Sequence, residues 1–141
     1  MIYLDTNIIL YAISGDPKYG AVCKRILFDI ERGALQVGAS TLVLLEVFGA
    51  LRKVNGTLRR KKQPLLDIHT NIEAILSLPI VWFEMSLFVI ERAATYSFQK
   101  GQTADSIHFA TAELQGMKQI LSADKDFDAL PGMERLDPLR Y

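Results

Sequence analysis

The apolar positions of this chain fall into short runs separated by small clusters of polar and turn-forming residues. Ile2, Tyr3 and Leu4 make a β-prone run that stops at Asp5, Thr6 and Asn7, a cluster suited to capping a helix, and Ile8, Ile9, Leu10, Ala12 and Ile13 then resume the apolar pattern. A strand followed by a helix is predicted. Asp16 and Pro17 read as the start of a second helix, in which Val22, Ile26, Leu27 and Ile30 recur at helical spacing until Gly33 ends it. Leu35, Val37 and Ala39 alternate as a short strand. Ser40 or Thr41 then caps a helix that runs through Leu42, Val43, Leu44, Leu45, Glu46, Val47 and Phe48 towards Arg52, and apolar residues on all its sides predict that it is buried.

Asn55 and Gly56 signal a turn, after which Leu65, Leu66, Ile68, Ile72, Ile75 and Leu76 predict an amphipathic helix ending before Pro79. Residues 80–83 read as a buried strand, and a helix is expected over 86–100, up to Gly101. Thr103 caps another helix carrying Ile107, Phe109, Ala110, Ala112 and Leu114; Ile120 and Leu121 make a short strand; an acidic turn over 122–128 precedes a last strand around 134–136. Strands separated by helices of this length call for a parallel sheet covered on both faces, because each parallel neighbour needs a crossover. The expected architecture is a single α/β domain over residues 1–141. In such sheets ligands bind beyond the carboxyl ends of the strands, the edge at which Asp5 and Asp124 both fall.

Composition narrows the class. Hydrophobic residues make up 50 % and charged residues 23 %, with 9 Gly and 5 Pro, which excludes a disordered or repetitive chain. The single cysteine, Cys23, rules out an internal disulfide, and no Cys/His cluster has zinc spacing. Cys23 is expected as a small buried hydrophobe. The most apolar run, 42–51, contains Glu46 and falls far short of the ~20 residues that span a bilayer, so no membrane segment is expected. Asp5 follows Met1 closely with no basic segment between them, so the reading is a cytoplasmic protein without a secretory signal.

Charge is balanced in total, 16 Lys+Arg against 16 Asp+Glu, but separated along the chain. Arg52, Lys53, Arg59, Arg60, Lys61 and Lys62 lie in a stretch without an acid from Val47 through Leu66, whereas Asp124, Asp126 and Asp128 crowd together. Two readings of the basic run stand side by side: a solvated helix end or loop, and a surface that contacts phosphates.

The acids are individually ambiguous. Asp5 suits a helix cap as well as a crevice carboxylate, and Asp105 two residues after Thr103 complements a helix dipole as well as a metal. Asp124 and Asp126 suit a turn. Glu46 interrupts an apolar helix and requires a cation or a proton if it is buried. Should these carboxylates converge, their repulsion would demand a bound cation, and hard oxygen donors favour Mg²⁺ or Mn²⁺. Positions 5, 46, 105 and 124 are too far apart in the chain for spacing to decide.

The order Asp5-Thr6-Asn7 after an opening strand, then 40–46 ending in Glu46, then Thr103-Ala104-Asp105-Ser106-Ile107-His108, then Ser122-Ala123-Asp124-Lys125-Asp126-Phe127, resembles the PIN-domain ribonucleases and among them the VapC-type toxins of toxin-antitoxin systems, over essentially the whole chain. The resemblance implies a PIN-like fold with four or five parallel strands, and one or two Mg²⁺ or Mn²⁺ ions held by Asp5, Glu46, Asp105 and Asp124, with Asp126 competing for the fourth place. Asp5 and Asp105 would be principal ligands, Glu46 a ligand directly or through water, and Asp124 a second-metal ligand or water orienter. Thr6, Asn7, Ser40 and Asp126 would support them. The implied activity is endoribonucleolytic hydrolysis of RNA phosphodiesters by metal-activated water, with Arg52, Lys53 and 59–62 on the RNA or on an antitoxin. A small antitoxin and a homodimer are the implied partners. The competing expectations are a PIN nuclease of RNA processing and a receiver-like module with an acidic pocket. His108, three residues after Asp105, is expected to serve structure rather than catalysis, and Trp82, Phe83, Phe88 and Tyr96 to fill the core.

Overall fold

The computed structural model describes residues 1–96 and 103–141. Five strands, β1 (Ile2–Leu4), β2 (Val37–Ser40), β3 (Val81–Phe83), β4 (Gln119–Leu121) and β5 (Glu134–Leu136), form one parallel sheet in the order β3-β2-β1-β4-β5. Six helices are described: α1 (Thr6–Ser14), α2 (Gly20–Glu31), α3 (Leu42–Arg60), α4 (Ile68–Ser77), α5 (Leu87–Ala94) and α6 (Thr103–Leu114). The expected α/β layering is present. Side chains alternate across the sheet: Leu4, Val37, Ala39 and Leu121 join the core shared with α1 to α4, while Tyr3 and Ile120 pack with Ala112, Met117 and Phe127 on the other side. Helices therefore cover both faces. The strand order reverses direction between β1 and β4, so the crevice outside their carboxyl ends is the switch point of the fold. A receiver-like module has the order 2-1-3-4-5, which this sheet does not.

Several local expectations are overturned. The helix expected to be buried on all sides, α3, buries one stripe, Val43, Val47, Leu51 and Asn55, and leaves Leu45 59 % exposed and Phe48 and Val54 also at the surface. Asn55-Gly56 lies inside α3 rather than in a turn. The Asn55 amide donates to the Leu66 carbonyl at 2.9 Å and accepts from the Leu66 N–H at 2.8 Å, so turn propensity yields to a bond pair that pins the following loop. Leu65 and Leu66 stay outside α4, which starts after Asp67, whose carboxylate caps the Thr70 N–H. The start expected at Pro17 moves to Gly20, because Asp16 is spent on a turn, accepting from the Lys18 and Tyr19 N–H groups.

Strand β3 is an edge strand with Val81 exposed, not a buried one. Phe88 is 77 % exposed and leaves the core to Val89 and Ala93 of the same helix. Trp82, Phe83 and Tyr96 are half-buried at core margins, and Cys23 is fully buried as expected. The expected helix over 86–100 is observed to Ala94; its continuation to Gly101 lies partly outside the described residues. Among the described residues no helix is long and apolar enough to cross a membrane.

Candidate active site

Strand ends and helix starts place the acids. Asp5 leaves β1 as the N-cap of α1, its Oδ1 accepting from the Thr6 N–H at 2.7 Å. Its Oδ2 accepts from the Ser122 hydroxyl at 2.6 Å and from the Asn7 amide. Asp5 is thus both a cap and a crevice carboxylate, because a cap at the carboxyl end of a central strand stands at the ligand edge. Glu46, one turn into α3, reaches across the crevice to accept from the Thr6 hydroxyl and from His108 Nε2, the latter at 2.7 Å. Asp105 stands in the first turn of α6. Asp124 follows β4 and caps the short 3₁₀ turn Lys125–Ala129, accepting from the Asp126 N–H at 2.9 Å.

All four predicted ligands, together with Thr6, Asn7, Leu10, Ala104, His108 and Asp126, line one cleft of about 270 Å³ at the switch point. Carboxylate oxygens of Asp105, Asp124 and Asp126 all lie within 4.8 Å of one another. This tight group takes in both candidates for the fourth acid; Asp5 and Glu46, outside that group, make a second wall on which His108 Nε2 lies 4.0 Å from Asp5 and 2.7 Å from Glu46. Residues 2–133 match the profile of the PIN domain. The chain belongs to the PIN domain family. Ribonuclease VapC13 of Mycobacterium tuberculosis is 26 % identical over 96 % of this PIN chain and 99 % of its own length. In fold the chain is similar to VapBC2 from Rickettsia felis, solved bound to a DNA fragment from its promoter, with a TM-score of 0.68 at 17 % identity, covering 96 % of this chain and 98 % of that one. It is also similar to VapC20 of M. tuberculosis, a sarcin-ricin loop cleaving toxin, with a TM-score of 0.67 at 21 % identity, covering 92 % and 94 %.

The electrostatics of the PIN cleft follow from burial and His108. Burial pushes the Asp5 carboxyl above its ordinary range, and His108, Ser122 and Thr6 only partly offset this. Burial also acts upward on Glu46, but the bond and charge of His108 and the Thr6 hydroxyl outweigh it, so Glu46 sits below the usual carboxylate range. For His108 burial opposes the proton, yet the Glu46 bond and the charges of Asp5, Glu46 and Asp105 prevail and raise it. Behind His108, its Nδ1 lies 2.8 Å from the buried Tyr3 hydroxyl, which accepts from the Ser40 N–H at 3.1 Å. Ser40 does not line the cleft: it reaches His108 only through the Tyr3 hydroxyl, and its own hydroxyl accepts from the Leu42 N–H.

Sequence reasoning missed three members of this arrangement. Ser122 bonds Asp5 and Asn7 and accepts from the Asp124 N–H at 2.9 Å; its signal was its place directly after β4, matching that of Asp5 after β1. Tyr3 reads as core in any apolar pattern. His108, expected to serve structure alone, is buried and T-shaped against Tyr3 and also lines the cleft and bonds Glu46. The basic residues lie outside the cleft. At about 1.5 Å per residue, Arg52 and Lys53 stand roughly 10 Å and Arg59 and Arg60 roughly 20 Å beyond Glu46 along α3, with Lys61 and Lys62 past its end.

Proposed function

We propose that this PIN domain is a Mg²⁺- or Mn²⁺-dependent endoribonuclease and the toxin of a toxin-antitoxin pair. The observation that carries the reading is the meeting of acids from four separated stretches in one cleft, with three carboxylates close enough for a single small cation to bridge. The donor set fits such an ion: all oxygen, with the nearby guanidinium of Arg135 paired elsewhere, to Asp128 and Asp137. When bound, a divalent cation supplies activation of water and neutralisation of phosphoryl charge. The side chains do the rest. Asp105, Asp124 and Asp126 would hold the ion from one side and Asp5 from the other, with Asp5 fixed in orientation by Thr6, Asn7 and Ser122. Glu46, held by Thr6 and His108, orients water or completes the ion's shell, and the His108 Nε2–H keeps Glu46 ionised.

Helix geometry divides the basic run into two faces. Lys53 and Arg60, about two and four turns beyond Glu46, share its face of α3 across the small residues Gly49 and Ala50. Arg52 lies over the Phe48 ring at 5.7 Å and shares with Arg59 and Leu45 a separate face, roughly 120° round the helix from Glu46. RNA phosphates leaving the cleft would follow Lys53 and Arg60. An antitoxin as partner is supported by the toxin-antitoxin complex among the similar structures, and a second copy in a homodimer follows from the resemblance to VapC-type toxins alone. Purified protein is expected to cut RNA only with Mg²⁺ or Mn²⁺. Asp5→Asn and Asp105→Asn each lower the rate at least about 100-fold with the circular dichroism unchanged. Full activity in Asp5→Asn would remove the proposed site. Charge reversal at Lys53 and Arg60 is expected to weaken RNA affinity and flatten its salt dependence more than reversal at Arg52 and Arg59.

A further inference from the structure

Strand β5 brings Arg135 against the back of the segment that carries two of the clustered acids. Its side chain is 8 % exposed, and a buried guanidinium is costly unless its donors are used. They are used on the two ends of one stretch. Nη1 donates to the Ser122 carbonyl at 2.9 Å, where the stretch begins. Nε and Nη2 donate to the Asp128 carboxylate at 2.6 and 3.2 Å, where it closes, and Asp137 Oδ2 lies 3.5 Å from Nη1. Between these ends stand Asp124 and Asp126. Ser122, whose carbonyl the guanidinium holds, receives the Asp124 N–H on its hydroxyl and donates that hydroxyl to Asp5.

We propose that Arg135 is a positioning residue for the cation: a guanidinium clamp across residues 122–128 that sets Asp124 and Asp126 at the spacing from Asp105 which a divalent ion requires. It touches neither ion nor substrate and acts through Ser122 and Asp128. The inference rests on the metal-dependent reading of the cleft. A planar fork with fixed donors can hold a carbonyl and both oxygens of a carboxylate at once, whereas a lysine ammonium presents one point charge on a flexible stem. Asp128 is largely solvent-exposed, so its removal frees the far end of the stretch without opening the core.

The test is a Mn²⁺ titration of the full chain by calorimetry, for wild type, Arg135→Met, Arg135→Lys and Asp128→Asn, with melting followed in chelator and in saturating Mn²⁺. Arg135→Met is expected to lose severalfold in Mn²⁺ affinity, up to the roughly tenfold that removal of a direct partner of a metal ligand costs, with Arg135→Lys intermediate and Asp128→Asn smallest. A clamp that only fastens β5 to β4 would lower the melting temperature in chelator and leave Mn²⁺ affinity untouched. Wild-type affinity in folded Arg135→Met overturns the proposal. If that variant does not fold, wild-type affinity in both Arg135→Lys and Asp128→Asn overturns it equally. A wild-type protein that binds no Mn²⁺ sinks the metal reading and the clamp together, whereas wild-type binding with indifferent variants sinks the clamp alone.

Discussion

The two walls of the cleft are built on opposite principles. On one wall Asp5 and Glu46 are surrounded by donors: Thr6, Asn7 and Ser122 on Asp5, Thr6 and His108 on Glu46. On the other, Asp105, Asp124 and Asp126 crowd their oxygens within 4.8 Å. A carboxylate among donors stabilises a fold by itself, while crowded carboxylates oppose folding until a positive charge arrives. Glu46 is thus finished without the cation, whereas Asp5, which burial holds above its ordinary range despite its donors, and the crowded second wall are completed by it. An acid can therefore help catalysis and yet have either sign of effect on the stability of the metal-free protein.

This contrast can be broken most directly at Glu46. In chelator, Glu46→Gln is expected to destabilise the protein by about 1–3 kcal/mol, because the Thr6 hydroxyl and the buried His108 lose their charged acceptor. Asp126→Asn should act in the opposite direction, raising the melting temperature in chelator by about 1–3 °C through relief of repulsion. The same change should shrink the rise that Mn²⁺ produces. Differential scanning calorimetry with and without Mn²⁺ measures both; two shifts of the same sign in chelator would show that the walls do not differ in this way.

How much of this could be read from the chain depends on the range of the interaction involved. The carboxyl-edge positions of Asp5, directly after β1, and Asp124, three residues after β4, were legible, because an acid in the turn that leaves a strand of a parallel α/β sheet stands at the crevice edge. Capping by Asp5 and the limits of β5 were legible for the same local reason. The bond of Glu46 to His108 joins residues 62 apart, and no local pattern announces it. The exposure of Leu45 and Phe48 escaped notice because the run around them has only Glu46 to mark a polar side, and where α4 lies decides which apolar side stays open. The exposure of Phe88 is similar: α5 satisfies its core with Val89 and Ala93, and an aromatic one position earlier must point elsewhere. At Asn55 a turn-forming pair was kept helical by a side-chain bond to Leu66, a non-local event that overrides propensity.

Helix α6 carries residues of both walls, Asp105 and His108, and its far end offers the finest test of whether their difference is local. There Glu113 accepts from Arg92 at 2.7 and 2.9 Å and from the Tyr96 hydroxyl, and the Arg92 bond, then the Tyr96 bond, hold its carboxyl below the usual range. A lowered folded pKa means that the cluster's contribution is complete above the unfolded glutamate value, about 4.3, and is lost as the pH falls through the lower folded value. Glu113→Gln should remove that part of the acid-side decline and change the melting temperature at pH 7 by about 1 °C or less, since the cluster is solvent-screened. Glu113 does not line the cleft, so its acid limb should be the same in chelator and in Mn²⁺. If adding Mn²⁺ moved that limb, α6 would be transmitting the cation's charge along its length. The opposite behaviour of the walls would then belong to the helix as a whole rather than to the partners of each carboxylate.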